Sequence, residues 1–155
     1  MSRRRRAVKR PVHPDPRYGS VLITRFTNRV MQRGKKNTAR SIVYGALASI
    51  QANGDDPVQT FERAIRNATP LLQVRPRRVG GATYQVPVEV RGERGLTLSM
   101  RWIIDSARAR KGRPMLEKLT SEIVEAAQGQ GNAVRRRDEM HRMAEANRAF
   151  AHYRW

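Results

Sequence analysis

Residues 20–54 read SVLITRFTNRVMQRGKKNTARSIVYGALASIQANG, and this segment contains the clearest helical pattern in the chain. Apolar residues recur at intervals of three and four on both sides of the turn Arg33-Gly34-Lys35-Lys36, as they do in helices that bury one face. We therefore predict one helix from near Ser20 to Gly34 and a second helix that ends at Gly54. The predicted inward residues are Leu22, Ile23, Phe26 and Val30 in the first helix and Ala39, Ile42, Val43, Ala46, Leu47 and Ile50 in the second.

The same region is short of acidic residues. The first fifty-four residues contain thirteen Arg or Lys and a single acid, Asp15. A folded surface with so few carboxylates cannot neutralise itself by internal ion pairs, so its counter-charge must come from a partner. Over the chain, 32 basic and 13 acidic residues give a net charge of +19. Because nucleic acid is the most abundant intracellular polyanion, the charge pattern predicts a nucleic-acid-binding protein.

Residues 72–90 change to a period of two, which predicts a β-hairpin with its tip at Gly80-Gly81. Leu72 and Val74 alternate with Gln73 and Arg75, and Tyr84, Val86, Val88 and Val90 alternate with Gln85, Pro87 and Glu89. Because Pro76 and Pro87 each lack an N–H donor, both are expected at edges or bulges. The apolar positions are expected to lean on helices near the base of the hairpin, while the arginines near its tip project into solvent.

Four further helices are expected around this hairpin. Asp56 followed by Pro57 is typical of an N-cap and first helical position, and begins a third helix that stops near Pro70. The fourth helix is predicted to carry Leu96, Met100, Ile103, Ile104 and Ala107 inward. The fifth begins at Pro114 with Glu117, Glu122 and Glu125 outward, and the sixth is capped by Asn132, with Val134, Met140, Met143 and Ala144 inward.

These elements predict a mainly α, single-domain fold of about six helices with one protruding β-hairpin at residues 72–90. Residues 1–19 form a predicted extended basic arm, residues 20–149 a helical RNA-binding domain, and residues 150–155 an aromatic and basic C-terminal tail. A chain of 155 residues is long enough for one domain with one core.

Patterns that indicate catalysis or metal binding are scarce. The chain has no cysteine, and its three histidines lack the spacing of metal ligands. Asp55 and Asp56 are adjacent, which fits the start of a helix better than a catalytic carboxylate pair. Gly92-Glu-Arg-Gly95 matches the Gly-x-x-Gly clamp of KH domains, but it joins a strand to a helix and is interpreted as a loop. We expect no catalytic residue, metal, cofactor, small-molecule substrate or membrane partner.

Five basic clusters remain, each at the end of an element. They comprise Arg3, Arg4, Arg5, Arg6, Lys9 and Arg10 in the arm; Arg33, Lys35 and Lys36 in the first turn; Arg75, Arg77 and Arg78 in the hairpin; Arg108, Arg110, Lys111 and Arg113 after the fourth helix; and Arg135, Arg136 and Arg137 in the sixth. A single cluster is usually a solvated surface, but five with so few carboxylates beside them predict several phosphate-contacting surfaces on one scaffold.

Several motifs resemble one known family. The blocks Ser20-Val-Leu-Ile-Thr-Arg-Phe-Thr27, Gly34-Lys-Lys36 and Ile42-Val-Tyr-Gly-Ala46 are similar to the signature of ribosomal protein seven of the small subunit, in its bacterial or organellar branch. The similarity continues through Arg75-Pro-Arg-Arg-Val-Gly-Gly-Ala-Thr-Tyr84 and Met140-His-Arg-Met-Ala-Glu-Ala-Asn-Arg-Ala-Phe150. It implies a six-helix domain with a protruding β-ribbon, a structural and non-enzymatic role, and a place in the small subunit of a cytoplasmic or organellar ribosome.

The resemblance also implies partners. Members of the family are primary binders of the 3′ major domain of small-subunit, 16S-type rRNA, organise the head, and lie beside ribosomal protein eleven near exit-site tRNA and mRNA. Bacterial members can repress translation of their own operon's mRNA. Applied to the matching positions of this sequence, the resemblance implies that the arm, the first turn, the end of the fourth helix and Arg142 bind rRNA. The residues it implies near tRNA or mRNA are Arg75, Arg77, Arg78, Val79, Gly80, Gly81, Tyr84, Tyr153 and Trp155.

Two other classes of protein remain open at this point. A DNA-binding or nucleoid protein would show a recognition helix with exposed base-reading residues or a dimer interface, and neither is evident in the sequence. An RNA-modifying enzyme would require a nucleophile or general base in a pocket, for which the candidates above are weak.

Overall fold

The structure is a computed structural model that describes Val8 and residues 10–153. The predictions for Arg3, Arg4, Arg5, Arg6, Lys9 and Trp155 lie outside the described residues.

The described chain is mainly helical with a single β-hairpin, as the sequence predicts. In order, its elements are α1 (Val21–Val30), α2 (Lys36–Ala52), α3 (Pro57–Ala68), β1 (Leu72–Val79), β2 (Ala82–Glu89), α4 (Gly92–Ala109), α5 (Met115–Ala127), α6 (Gly131–Ala146) and a C-terminal 3-10 helix (Arg148–Tyr153).

Helix α5 lies at the centre of the helical packing and contacts α2, α3, α4 and α6. The core contains the predicted residues of α1 and α2, although Leu22 and Ile42 are only partly buried at its margin. Phe26 of α1 meets Phe61 of α3 edge to face, with ring centroids 4.9 Å apart. This arrangement leaves the ends of the helices and the hairpin at the surface, where the basic clusters lie.

The predicted start of α3 is confirmed, whereas α1 ends earlier than expected. The Asp56 carboxylate accepts the N–H groups of Val58 and Gln59 at 2.8 and 3.2 Å, as an N-cap does. Helix α1 stops at Val30 rather than at Gly34. Met31 already leaves the helical conformation, with ψ at 134°, and Arg33 and Gly34 then reverse the chain with positive φ angles of 50° and 74°.

The interpretation of Gly92-Glu-Arg-Gly95 as a loop was wrong, because these residues form the first turn of α4. Gly95 is buried, and a Cβ added there would lie 2.9 Å from Thr69 Cγ2. The glycine therefore allows α4 to begin in close contact with the segment that follows α3.

Three predictions about α5 and α6 were also wrong. Glu122 points inward and is fully buried, Asn132 does not cap α6, and Met143 is 49% exposed. The residue at the N-cap position of α6 is Gln130, which makes no capping bond with its side chain. Instead, Glu122 Oε1 accepts the N–H of Ala133 at 2.9 Å, so a carboxylate from α5 supplies the missing acceptor. Ala133, rather than Met143, joins Val134 and Ala144 in the core.

The hairpin pairs β1 with β2 antiparallel, from Leu72 opposite Glu89 to Val79 opposite Ala82. Val86 is fully buried at its base, as expected. Gln73 was predicted to face outward, but it is only 6% exposed. With its amide oxygen turned towards Arg75, Gln73 accepts Arg75 Nε and Nη2 at 3.0 Å each. Both faces of the ribbon are therefore covered near its base, which a strict alternation does not predict.

Candidate nucleic-acid interface

The turn between α1 and α2 presents a compact group of cations. The left-handed conformations of Arg33 and Gly34 reverse the chain and place Lys35 at the N-cap position of α2 and Lys36 at its first residue. Arg33, Lys35 and Lys36 are exposed, and their side chains make no hydrogen bond or ion pair with the described residues. Their charges are thus available to an external anion.

The end of α4 lies beside this turn. Arg108 Nη2 donates to the carbonyl oxygen of Val30 at 3.3 Å, which joins α4 to the last residue of α1. Arg108 and Lys35 line the same surface cavity. Lys111 and Arg113 follow on an exposed linker that turns at Gly112, where φ is 77°. Two clusters that are separated by about seventy residues in sequence therefore form one basic surface.

Arg110 differs from its neighbours because it is paired inside the protein. Its Nη2 lies 2.7 Å from Glu122 Oε2, and it also pairs with Glu125. The hydrogen bond to Glu125, together with the interactions with Glu122, raises the pKa of the guanidinium and outweighs the opposite effect of partial burial. Because Arg110 pairs with two carboxylates, its charge is compensated within the protein, unlike those of Lys111 and Arg113.

Arg29 on α1 and Arg101 on α4 extend the basic surface beside Arg108, and neither of the two was predicted from the sequence. Arg29 Nη2 donates to Thr97 Oγ1 at 3.1 Å, and Arg29, Arg101 and Arg108 line one groove together with Asp105. For α4 alone a signal was present in the sequence, since Arg94, Arg101 and Arg108 recur every seven residues on one helix, whereas Arg29 joins them only through the packing of α1 on α4. A search for runs of adjacent cations does not detect such a stripe.

The end of the arm is anchored at Asp15, which is only 5% exposed. Its carboxylate accepts the N–H groups of Arg17 and Tyr18 and the hydroxyl of Tyr44, the last at 2.8 Å. Burial and the hydrogen bond to Asp15 raise the pKa of the Tyr44 hydroxyl, which keeps it protonated as the donor. Asp15 lines one cavity together with Arg10, Lys36 and Arg40. The first described part of the arm thus lies close to the α1–α2 turn.

The hairpin carries a separate basic group. Arg75, Arg77 and Arg78 are exposed, and the tip turns at Gly80 and Gly81, whose φ angles are 56° and 91°. Tyr84, which pairs with Arg77 across the ribbon, contacts Phe150 and stacks on Tyr153 with centroids 5.3 Å apart. The predicted hairpin and tail residues therefore meet, and the C-terminal 3-10 helix braces the ribbon.

The cations of α6 are divided between internal and external positions. Arg137 donates to the carbonyl oxygen of Asn67 and pairs with Asp138. Arg135, Arg136 and Arg142 are exposed on the same helix. Only the exposed three are placed to meet an outside partner.

The described residues show few other features that would indicate a metal site, a membrane span or a catalytic group. Among them, no three His, Asp or Glu side chains are grouped as they would be around a metal ion. None of the described helices is both long and apolar enough to cross a membrane. His141 has a structural contact, because its Nε2 accepts the N–H of Leu71 at 2.9 Å. The arrangement is therefore suited to binding a large polyanion at several points.

Comparison with known proteins shows that the chain is similar to the members of one family. Residues 2–148 match the family described as ribosomal protein S7p/S5e. The chain is 59% identical to small ribosomal subunit protein uS7 of Arthrospira platensis over 156 aligned positions, which cover all of both chains. It is 57% identical to the uS7 protein of Thermotoga petrophila over 99% of each chain, and 56% identical to that of Xanthobacter autotrophicus over the full length of both.

Proposed function

Because the chain belongs to the ribosomal protein S7p/S5e family, we propose that it is a structural, rRNA-binding protein of the small ribosomal subunit and not an enzyme. The observation that carries this proposal is the joint basic surface of the α1–α2 turn and the end of α4. Lys35, Lys36, Lys111 and Arg113 are exposed there on a rigid helical scaffold. As a component of a bacterial-type small subunit, the protein would act in cytoplasmic ribosomes.

The proposed mechanism is electrostatic bridging. Helices of rRNA repel one another when they converge, and cations fixed at several points of one scaffold offset that repulsion. The major groove of A-form RNA is too narrow for side chains to read, so phosphate positions and shape determine the fit more than base sequence does. The rigid packing around α5 would keep the separate basic surfaces at constant distances.

We further propose the finer assignments that the family resemblance implies. The rRNA target would be the 3′ major domain, whose folding the protein would help to organise into the head of the subunit. The hairpin and the 3-10 helix would approach exit-site tRNA and mRNA, with ribosomal protein eleven as a neighbour. The hairpin packs on α6 and the 3-10 helix, whereas the joint basic surface is formed by the α1–α2 turn and the end of α4, which supports two distinct roles. We also propose, as the resemblance implies, that the protein can repress translation of its own operon's mRNA.

A pair of charge-matched variants tests the rRNA-binding surface. Replacing Lys35 and Lys36 by Ala should weaken binding to a transcribed 3′-domain rRNA fragment by about tenfold or more, because two phosphate contacts are lost. Its control replaces Arg63 and Arg66, which are exposed on α3 outside the clusters, and should change affinity much less. Filter binding at fixed salt gives the affinities. Equal effects of the two variants would contradict the proposed surface.

A substitution in the core serves as a control that should change stability rather than rRNA affinity. Leu47 is 1% exposed, so Leu47→Ala should lower the free energy of unfolding by about 2–5 kcal/mol through the cavity it leaves. The folded fraction should still bind rRNA. Unfolding of the double lysine variant, measured by circular dichroism, would instead show that the two lysines are structural.

A further inference from the structure

One surface cavity lies between the α1–α2 turn and the junction of α4 with α5. Its volume is about 360 Å³, which is within the range of about 300–1,000 Å³ that is usual for ligand pockets. Its apolar wall consists of Val30, Ala39, Ile42 and Met115. Val30 and Ala39 are 6% and 3% exposed, so this wall is continuous with the hydrophobic core and is held in place by it.

The polar residues of the same cavity are cationic or neutral. Lys35 comes from the turn, and Arg108 comes from the last turn of α4. The amide of Gln32 and the hydroxyl of Thr38 complete the lining, and no acidic residue lies among the described residues that form it. The cavity thus combines an apolar wall with two cations and two neutral hydrogen-bonding groups.

The position of the cavity favours one kind of occupant. An RNA strand whose phosphates are bound by both basic clusters would pass directly over its mouth. A base turned out of that strand would place its ring against the apolar wall and its polar edge near Gln32 and Thr38, while Lys35 and Arg108 meet the adjacent phosphates. If an apolar side chain of a protein partner filled the cavity, the charges of Lys35 and Arg108 would have no anionic group to pair with.

We propose that this cavity binds the base of one unpaired rRNA nucleotide, and that Lys35 and Arg108 contact the phosphates on either side of it. The proposal rests on the rRNA binding proposed above and adds a specific site to it. A duplex with all of its bases stacked cannot fill the cavity, so the site selects an unpaired position within the bound RNA.

Blocking the cavity without changing charge is the first test. Thr38 is exposed at the mouth, and Thr38→Trp would fill it. Ser41→Trp is the matched control, because Ser41 is also exposed on α2 but does not line the cavity. We expect Thr38→Trp to weaken binding to the 3′-domain rRNA fragment by about tenfold, as loss of one bound base would. Ser41→Trp should bind like the natural protein.

Photocrosslinking is a second, independent test. A benzophenone amino acid at Met115 should crosslink to a single unpaired nucleotide of the bound fragment, whereas the same probe at Ser41 should not. If Thr38→Trp fails to fold, as judged by its thermal unfolding, the crosslinking result alone determines whether the cavity binds a base.

Failure of this inference can be told apart from failure of the proposed function. Normal affinity of Thr38→Trp, absence of an RNA crosslink at position 115, or a crosslink to a protein in assembled subunits would each overturn the base site. If neither the natural protein nor Ser41→Trp binds the rRNA fragment, rRNA binding itself is contradicted.

Discussion

Glu122 shows how one buried carboxylate connects three helices. Its Oε2 accepts Arg110 Nε and Nη2 at 3.1 and 2.7 Å, and its Oε1 accepts the N–H of Ala133 near the start of α6. A negative charge is favourable at the N-terminus of a helix, where N–H groups lack partners within the helix. Glu122 therefore positions α6 against α5, and Arg110 compensates its charge.

Removing this carboxylate should destabilise the protein more than removing its neighbour. Glu122→Ala would leave the buried N–H of Ala133 without an acceptor and should lower the free energy of unfolding by about 1–3 kcal/mol. Glu125→Ala, whose side chain is 37% exposed, should cost at most about 1 kcal/mol. Urea unfolding of the two variants measures the difference. Similar values for both would show that the contact with α6 contributes little.

The role of Glu122 could not be predicted from spacing along one helix. Its partners lie twelve residues earlier and eleven residues later in the chain, on other elements. A polar residue in an amphipathic pattern is assigned to the outside by default, and only tertiary packing reverses that assignment. Asn132 failed as a predicted cap for the same reason, because the acceptor comes from α5.

Elements with local signals were predicted well. The Asp56-Pro57 start of α3 and the Gly80-Gly81 tip of the hairpin depend on residues that are adjacent in sequence, and both are confirmed. The burial of Gln73 was not predicted, because α6 packs against β1 and covers a second face of the ribbon. Among the basic residues, adjacent clusters were found from the sequence, whereas the Arg29–Arg101 groove required the packing of α1 on α4 to be known.

The hairpin is supported from its base as far along as Tyr84, so residues 78–83 at its tip can be removed without loss of these contacts. His141 accepts the N–H of Leu71, and Phe150 and Tyr153 pack on Tyr84. Beyond the pair Arg77 and Tyr84, the ribbon consists of Arg78–Thr83, in which Arg78 and the two glycines are exposed. Its stability therefore depends on contacts that a shortened tip would keep.

Shortening the tip tests the proposed role of the hairpin near tRNA and mRNA. Replacing residues 78–83 by Asn-Gly would join Arg77 to Tyr84, which are already paired, by a turn that suits a two-residue loop. We expect normal thermal stability and normal assembly into small subunits, but defects in exit-site tRNA retention and in maintenance of the reading frame. Failure to assemble, or normal results in both functional assays, would show that the tip has another role.

The distribution of charge over the protein explains why it needs a polyanion to be neutralised. Its net charge is +19, and several of its thirteen acids are engaged internally, including Asp15 at the arm anchor, and Glu122 and Glu125 with Arg110. The remaining exposed cations repel one another in the free protein. Binding to RNA removes this repulsion and releases counterions from the phosphates, so affinity should depend strongly on salt.

We expect the logarithm of the rRNA association constant to fall with the logarithm of salt concentration, with a slope between roughly 4 and 9 for about six to ten phosphate contacts. Deleting residues 1–10, which include six cations, should lower this slope and weaken binding. The thermal midpoint should not change, because the described core begins at Tyr18. Replacing the same six cations by Gln at constant length should reproduce the effect, since it depends on charge. A slope near one for the natural protein would mean that most of the basic residues remain solvated in the complex, and would contradict binding by phosphate contacts.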